Sequence, residues 1–410
     1  MSDIQPISAP HITSVPGFRA TGVACGIKGD NARDLALVVS DVPCVTAAVF
    51  TTNAVKAAPV LYDQDVLESG AVIQAVLINS GCANACTGTR GIRDAKRTAQ
   101  VVEERLGFSP LTTLVMSTGV IGQHLPMGKI VPGVDLAQRS LSDQGGDLAA
   151  LAIMTTDTRP KEAAVRIQHA GQEGTIAGMC KGSGMIHPNM ATMLGVLVTD
   201  VSIEQSLARH ALQTVVDQTF NRVTVDGDTS TNDTVVLLAN GQSGVPHIAS
   251  ADSTEFHLFE AGLLEVCTSL ARQLARDGEG ATKLITVRVT GAHSAADATR
   301  VAKSIANSSL VKTAVYGEDA NWGRVLCAAG YSGIEMDPAQ LSLWMENQVD
   351  SLHLVRNGEP FEIDESRAAV ILAQDEVAFR LDLGQGEEEA QVWTCDLSHA
   401  YVDINAHYRT

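Results

Sequence analysis

Short β-like segments recur through the first half of this chain, separated by clusters of Gly, Pro, Asn and Asp. Such spacing is typical of strands joined by turns. The segments read GVACGIK, LALVVSD, TAAVFTT, AVLINSG, TLVMSTG and EGTIAGMC. Helical patterns interrupt them irregularly, so the regular alternation of a doubly wound parallel sheet is missing. The pattern therefore predicts an α+β fold in which sheets are faced by helices.

Three further patterns complete the predicted organisation. The strongest helical pattern is STEFHLFEAGLLEVCTSLARQLARDGEG, and another helix is predicted over about residues 295–312. The final stretch, YVDINAHYRT, alternates apolar and polar residues through Ile404, which predicts a C-terminal strand.

Composition narrows the class of protein. The chain has 410 residues, of which 45% are apolar and 19% charged, so it can build one large domain or two to three smaller ones. A formal net charge of −18 disfavours nucleic acid and anionic membrane surfaces as partners. No apolar run is long enough to span a membrane, and the start lacks the pattern of a signal peptide. We expect a cytoplasmic protein.

Neither the cysteines nor the acidic segments predict a metal site. Cys82 and Cys86 are the one close pair among eight cysteines, without a second pair or a histidine at zinc-ligand spacing. The segment DGDTSTND resembles a calcium loop, but Thr231 and Leu237 occupy the positions that need Gly and Glu. We interpret it as an acidic β-turn. No cofactor is expected.

A candidate nucleophile, Thr192, lies in KGSGMIHPNMATMLGVLVTD, residues 181–200, where a Gly- and Pro-containing loop enters an apolar strand. The chain has no G-x-S-x-G elbow and no H-E-x-x-H motif, and His187 has no visible partner. An N-terminal threonine needs no separate base, because its own α-amine accepts the hydroxyl proton. This chemistry requires cleavage of the bond between Ala191 and Thr192.

Two other segments carry residues suited to catalysis. STGVIG, residues 117–122, follows an apolar strand, and its glycines suit a turn whose N–H groups form an oxyanion hole. In GEGATK, residues 278–283, Glu279 lies between two glycines, which allow a close backbone approach. The end of a helix explains the two glycines, but it gives no reason for a glutamate between them.

Together with GFRATGVACGIK, MTTDT and EDANWGR, these segments make the chain resemble the ornithine acetyltransferases of arginine biosynthesis along essentially its whole length. The resemblance implies a layered αββα sandwich similar to that of self-cleaving aminopeptidases. It implies self-cleavage into chains 1–191 and 192–410, with two copies of each in the assembly. It also implies transfer of acetyl from N2-acetylornithine to glutamate through an acetyl ester on the threonine, while the sequence leaves open whether acetyl-CoA is a second donor.

The resemblance also implies roles for individual residues. Thr192 is the nucleophile, and Thr118 with Gly119 forms the oxyanion hole. Lys181 suits the substrate α-carboxylate, and Glu279 suits the side-chain ammonium of ornithine. The complete set of implied substrate-binding residues is Thr158, Lys181, Thr192, Glu279, Asn405 and Thr410.

Two other classes of function remain open. An N-terminal-threonine amidase or aminopeptidase would use the same nucleophile but give the acyl group to water. A non-catalytic binding protein fits the composition but leaves Thr192, Lys181 and Glu279 unexplained.

Overall fold

A computed structural model describes residues 3–29, 31–187, 193–361 and 364–407. The strands are β1 (Ile4–Pro6), β2 (Phe18–Val23), β3 (Leu35–Phe50), β4 (Ile73–Cys82), β5 (Thr113–Val120), β6 (Lys161–His169), β7 (Gln172–Lys181), β8 (Leu194–Thr199), β9 (Thr234–Ala239), β10 (Leu284–Ala292), β11 (Ser342–Glu346), β12 (Ser351–Arg356), β13 (Glu359–Pro360), β14 (Glu376–Asp382) and β15 (Glu388–Cys395). The helices are α1 (Ala58–Glu68), α2 (Gly88–Leu106), α3 (Met127–Ser140), α4 (Gly146–Ile153), α5 (Gln205–Gln218), α6 (Thr254–Arg276), α7 (Ala295–Ala306), α8 (Ser309–Tyr316), α9 (Trp322–Gly330), α10 (Glu365–Leu372) and α11 (His399–His407). Short 3₁₀ turns lie at Ile12–Ser14, Phe220–Arg222 and Pro338–Gln340.

The long strand β3 joins two sheets. Its first half pairs with β2 on one side and β4 on the other, and its second half pairs with β9. The register shifts between Val39 and Cys44, where the strand passes from one sheet to the other. The first sheet therefore has the order β2-β3-β4-β5, and the second has the order β1-β6-β7-β8-β9-β3.

The two sheets share a core and carry helices on their outer faces. Val38 and Val76 of the first sheet belong to the same buried cluster as Met179 and Val196 of the second. Helices α1 and α2 contact β5 of the first sheet, and α5 and α6 cover the other face of the second. This arrangement confirms the predicted αββα sandwich.

The strands on either side of the expected cleavage point are neighbours. β7 and β8 pair antiparallel, with Lys181 opposite Leu194, and β8 also pairs in parallel with β9. Ala191 and Thr192 themselves lie outside the described residues. Interstrand hydrogen bonds hold residues 176–181 beside residues 194–199 independently of the connecting loop.

The C-terminal part of the chain forms another sheet with its own core. The strand order is β13-β12-β11-β14-β10-β15, and α7 packs against β10 and β15. The helix predicted over about 295–312 is two helices, α7 and α8, and the side chain of Ser308 caps the second. This sheet meets the sandwich through contacts of α6 with β10 and β15.

The predicted C-terminal strand is wrong, because residues 399–407 form helix α11. Tyr401 and Asn405 are four residues apart, which places them on the same helix face. Both line one cavity, described below. The alternation of apolar and polar residues in YVDINA is typical of a strand. The feature that matches the helix is the i to i+4 spacing of the two polar side chains.

Candidate active site

The end of β5 supplies the two residues expected to form an oxyanion hole. Thr118 is buried beside Gly119, whose φ of 125° lies in the region that favours glycine. A Cβ at Gly119 would collide with the backbone of Gly81 on the neighbouring strand β4. Glycine is therefore required where these two parallel strands approach each other.

Lys181 ends β7 directly beside this turn. Only 3% of the lysine is exposed, and its Nζ donates a hydrogen bond to the Thr118 hydroxyl at 3.4 Å. Burial lowers the pKa of Lys181, while nearby Asp157 acts in the opposite direction. The ammonium thus lies between β5 and β7, where an anionic substrate group would offset its desolvation.

A buried ionic network lies behind Lys181. The Nζ of fully buried Lys161 lies 2.7 Å from Asp157 and 2.5 Å from Asp277. Asp157 also accepts the N–H of Gly182 at 2.7 Å, which fixes the chain just after Lys181. Burial acts to raise the pKa of Asp157, but the positive charges of Lys181 and Lys161 hold it below its usual range.

Thr158 belongs to this network and does not line the cavity. Its N–H donates to Asp277 at 3.1 Å, and its hydroxyl donates to the same carboxylate. The residues of the TTDT segment that do line the cavity are Thr155 and Thr156. In this structure Thr158 holds Asp277, and its expected role in substrate binding stays a prediction.

Glu279 lies in the loop between α6 and β10. Its N–H donates to the Ser183 carbonyl at 2.8 Å, and its carboxylate packs on Gly184, where any Cβ would overlap it. The amide of Asn405 on α11 donates to its Oε2 at 2.8 Å. The loop after Lys181 and helix α11 thus hold this carboxylate from two sides.

These elements surround one cavity that contains about 700 Å³ of empty space and opens to solvent. Five residues expected from the sequence line it, namely Thr118, Gly119, Lys181, Glu279 and Asn405. Ala191, Thr192 and Thr410 lie outside the described residues, so their expected roles stay predictions. The other lining residues are Ala83, Ile121, Thr155, Thr156, Gly184, Met185, Asp226, Asp228, Ser230, Thr231, Asn232 and Tyr401.

The sequence interpretation missed the part played by DGDTSTND. Asp226 accepts the N–H groups of Met185 and Ile186 at 2.5 and 3.0 Å, and burial raises its pKa to about 6. Asn232 donates to the carbonyls of Ala83 and Ser117. The segment therefore ties the loop after β7 to the end of β5. The sequence feature that could have predicted this role is the density of polar residues immediately before a buried strand.

Asp233 lies beneath the cavity floor with 1% of its surface exposed. Its Oδ1 accepts the N–H of Met193 at 3.0 Å, and its Oδ2 is unpartnered among the described residues. A small space separates it from Thr118 and Lys181. Burial raises its pKa well above the usual range. Asp233 consequently anchors the residue that directly follows Thr192.

The described residues lack both a metal-binding cluster and a membrane-spanning helix. No group of three or more His, Cys, Asp or Glu side chains is arranged there to hold a metal ion. None of the helices within the described ranges has the length and apolar character needed to cross a membrane.

A family model described as the ArgJ family matches residues 19–410 of this chain. The chain belongs to the ArgJ family. Membership confirms the resemblance inferred from the motifs and identifies an enzyme of arginine biosynthesis.

ArgJ relatives match along nearly their full length. The arginine biosynthesis bifunctional protein ArgJ of Symbiobacterium thermophilum is 51% identical, over 98% of this chain and 99% of that protein. The crystal structure of the Bacillus halodurans protein of the same name is 42% identical with a TM-score of 0.50, covering 52% of this chain and 98% of the solved one. The l-aminopeptidase d-Ala-esterase/amidase of Ochrobactrum anthropi is 12% identical with a TM-score of 0.43, and the match covers 67% of this chain and 88% of the solved one.

Proposed function

We propose that this ArgJ protein transfers an acetyl group from N2-acetylornithine to L-glutamate through an acetyl ester on Thr192. One observation carries the proposal. Thr118, Gly119, Lys181, Glu279 and Asn405 come from four separate parts of the chain and line one cavity. Met193, the residue after the proposed nucleophile, is anchored by Asp233, which shares a small space with Thr118 and Lys181.

The nucleophile becomes available by cleavage between Ala191 and Thr192, giving chains 1–191 and 192–410. Because β7 and β8 are hydrogen-bonded to each other, the two products remain in one sheet. The solved Bacillus halodurans chain supports this cleavage. The match covers 98% of that chain but only 52% of this one, as expected if the solved chain is one of two cleavage products. We propose an assembly with two copies of each product.

Acetyl transfer then proceeds in two half-reactions. The α-amine of Thr192 accepts the hydroxyl proton as the oxygen attacks the acetyl carbonyl of N2-acetylornithine. Thr118 and the Gly119 turn stabilise the resulting oxyanion, and the proton passes to the departing α-amine of ornithine. The α-amine of glutamate next attacks the acetyl ester, releasing N-acetylglutamate and restoring the threonine hydroxyl.

The charges along the cavity match the polar groups of the donor. Lys181 pairs with the α-carboxylate, and Glu279 with Asn405 receives the side-chain ammonium of ornithine. Asp226 and Asp228 line the same cavity and add negative charge. The cavity therefore has a single cationic lining residue at the β5–β7 end and carboxylates elsewhere among its described lining residues.

The name of the relatives, bifunctional protein ArgJ, supports a second reaction. We propose acetyl-CoA as a second donor, which would acetylate the same threonine. Glutamate would again accept the acetyl group, so only the first half-reaction differs.

The discriminating experiment measures acetyl transfer and acetate release separately. Purified protein is supplied with N2-acetylornithine, with and without glutamate, and the products are quantified by mass spectrometry. The proposal requires N-acetylglutamate and ornithine in equal amounts, with little acetate. Acetate release that glutamate does not suppress would identify an amidase, and absence of turnover with an uncut chain would favour a binding protein.

A further inference from the structure

A second cleft, separate from the candidate active site, is lined by three basic side chains. Arg222 follows α5, and Arg300 and Lys303 lie on α7. The cleft contains about 650 Å³ of empty space and is wide open to solvent. Its remaining lining residues are Ala295, Ala296 and Thr299.

No carboxylate of the described residues forms an ion pair with these three cations. Among the ion pairs found within 4 Å in the described ranges, none includes Arg222, Arg300 or Lys303. Asp217 lies near Arg222 and Lys303, and its two oxygens accept the amides of Gln213 and Asn221. Its backbone carbonyl accepts Nε of Arg222.

This concentration of positive charge is unusual in a chain with a formal net charge of −18. Burial lowers the pKa of Lys303 to about 8, and the positive charge of Arg222 acts in the same direction. A bound anion would offset both effects, since it would supply the missing opposite charge. Guanidinium pairs bind phosphate with particularly good geometry.

A short series of neighbouring residues connects the cleft with the candidate active site. Lys303 is one helical turn, about 6 Å along the axis, from Asn307. The Asn307 side chain accepts a hydrogen bond from Thr224 at 2.6 Å, and Thr224 lies two residues before Asp226 of the cavity lining. A ligand that occupies both places must therefore be extended, with its anionic part well separated from its reacting group.

We propose that this cleft binds phosphate groups, and that acetyl-CoA is the substrate that brings them. The inference rests on the proposed second donor. Acetyl-CoA fits because its pantetheine arm separates the thioester from the phosphates. N2-acetylornithine, by contrast, carries no phosphate group.

The test compares three donors in the full, mature protein with glutamate as acceptor: acetyl-CoA, acetylpantetheine and N2-acetylornithine. Acetylpantetheine carries the same thioester without the nucleotide phosphates. The double variant Arg300→Gln/Lys303→Gln removes two charges while keeping polar side chains. The matched control is Arg139→Gln, which removes an exposed arginine from α3.

The double variant should raise KM for acetyl-CoA at least about tenfold, because it loses two charge-assisted contacts to phosphate. KM for the other two donors should stay within about twofold of the wild-type value, which also shows that the variant is folded. Added salt should weaken wild-type use of acetyl-CoA more than that of acetylpantetheine. The Arg139→Gln protein should behave as the wild type with all three donors.

Three outcomes would overturn the assignment. An unchanged KM for acetyl-CoA in the double variant removes the cleft from donor binding. If the wild type binds pyrophosphate and the double variant does not, while KM for acetyl-CoA is unchanged, the cleft binds a free phosphate compound instead. A wild type that uses N2-acetylornithine but not acetyl-CoA refutes this inference and leaves the transfer from acetylornithine standing.

Discussion

The amide of Asn405 donates a 2.8 Å hydrogen bond to the carboxylate of Glu279, joining helix α11 to the loop before β10. The same amide also donates to the Tyr401 carbonyl one helical turn earlier, at 3.0 Å. The docked helix α11 therefore contributes to the orientation of the Glu279 carboxylate. The C-terminal helix is part of the cavity wall, although none of its described residues is fully buried.

Replacing Asn405 with Ala should weaken binding of N2-acetylornithine. The loss of one hydrogen bond to a buried carboxylate is expected to raise KM about tenfold, with a smaller effect on kcat. Steady-state kinetics measure this, with Val402→Ala on the exposed face of the same helix as the control. Equal kinetics in both variants would show that the Asn405–Glu279 contact does not serve substrate binding.

Replacing Thr192 with Ala should leave one uncut chain without transfer activity, because the hydroxyl is the proposed nucleophile in both cleavage and transfer. Denaturing mass spectrometry of wild-type protein should show two chains, the second beginning at Thr192. Thr229→Ala, at an exposed position in the acidic segment, should be cleaved normally. An active wild type that remains a single chain would refute the mechanism.

Replacing Thr118 with Ala should lower kcat by about 10² to 10³ with little change in KM, since an oxyanion donor acts mainly in the transition state. Thr118→Ser restores a hydroxyl at the same position and should recover most of the rate. If the Ala variant keeps kcat within about threefold of wild type, the lost stabilisation is below 1 kcal/mol and the assignment is wrong.

Binding of N2-acetylornithine should weaken as pH falls through about 6. The pKa of Asp226 is raised to about 6 by burial, so this carboxylate is ionised above that pH and neutral below it. Neutral Asp226 no longer attracts the ammonium of the donor, and KM should rise as pH is lowered from 7 to 5. Asp226→Asn should have a high KM that changes little over this range. A wild-type KM that is flat from pH 5 to 7 would contradict this role.

Replacing Lys161 with Met should destabilise the protein by about 3–5 kcal/mol, because it leaves two buried carboxylates without their partner. Lys161 contacts both Asp157 and Asp277 and is fully buried. Urea unfolding measures the change in free energy, with exposed Lys96→Met on α2 as the control. A loss no larger than that of the control would show that the network contributes little to stability.

The amino-acid sequence by itself determined the α+β class and five residues of the cavity. It also predicted a buried strand at 193–198, which the structure has at 194–199. These are local or motif-level properties. A buried strand is visible in a run of apolar residues, and a glycine beside a threonine marks a turn whatever lies elsewhere in the chain. The family motifs identified Lys181 and Glu279 as residues of the site.

Only the tertiary structure decided which polar residues share the cavity. Thr155, Thr156 and Thr158 are three threonines of one short motif, and the sequence does not distinguish their positions. In the structure Asp277 binds Thr158, whereas the other two line the cavity. The acidic segment 226–233 becomes part of the site because its carboxylates and amides bind the loop after β7 and the end of β5. The C-terminal helix was misread as a strand, since the partners that Tyr401 and Asn405 reach lie more than a hundred residues away. Contacts of that range depend on how the sheets and helices pack, and no local pattern of residues encodes them.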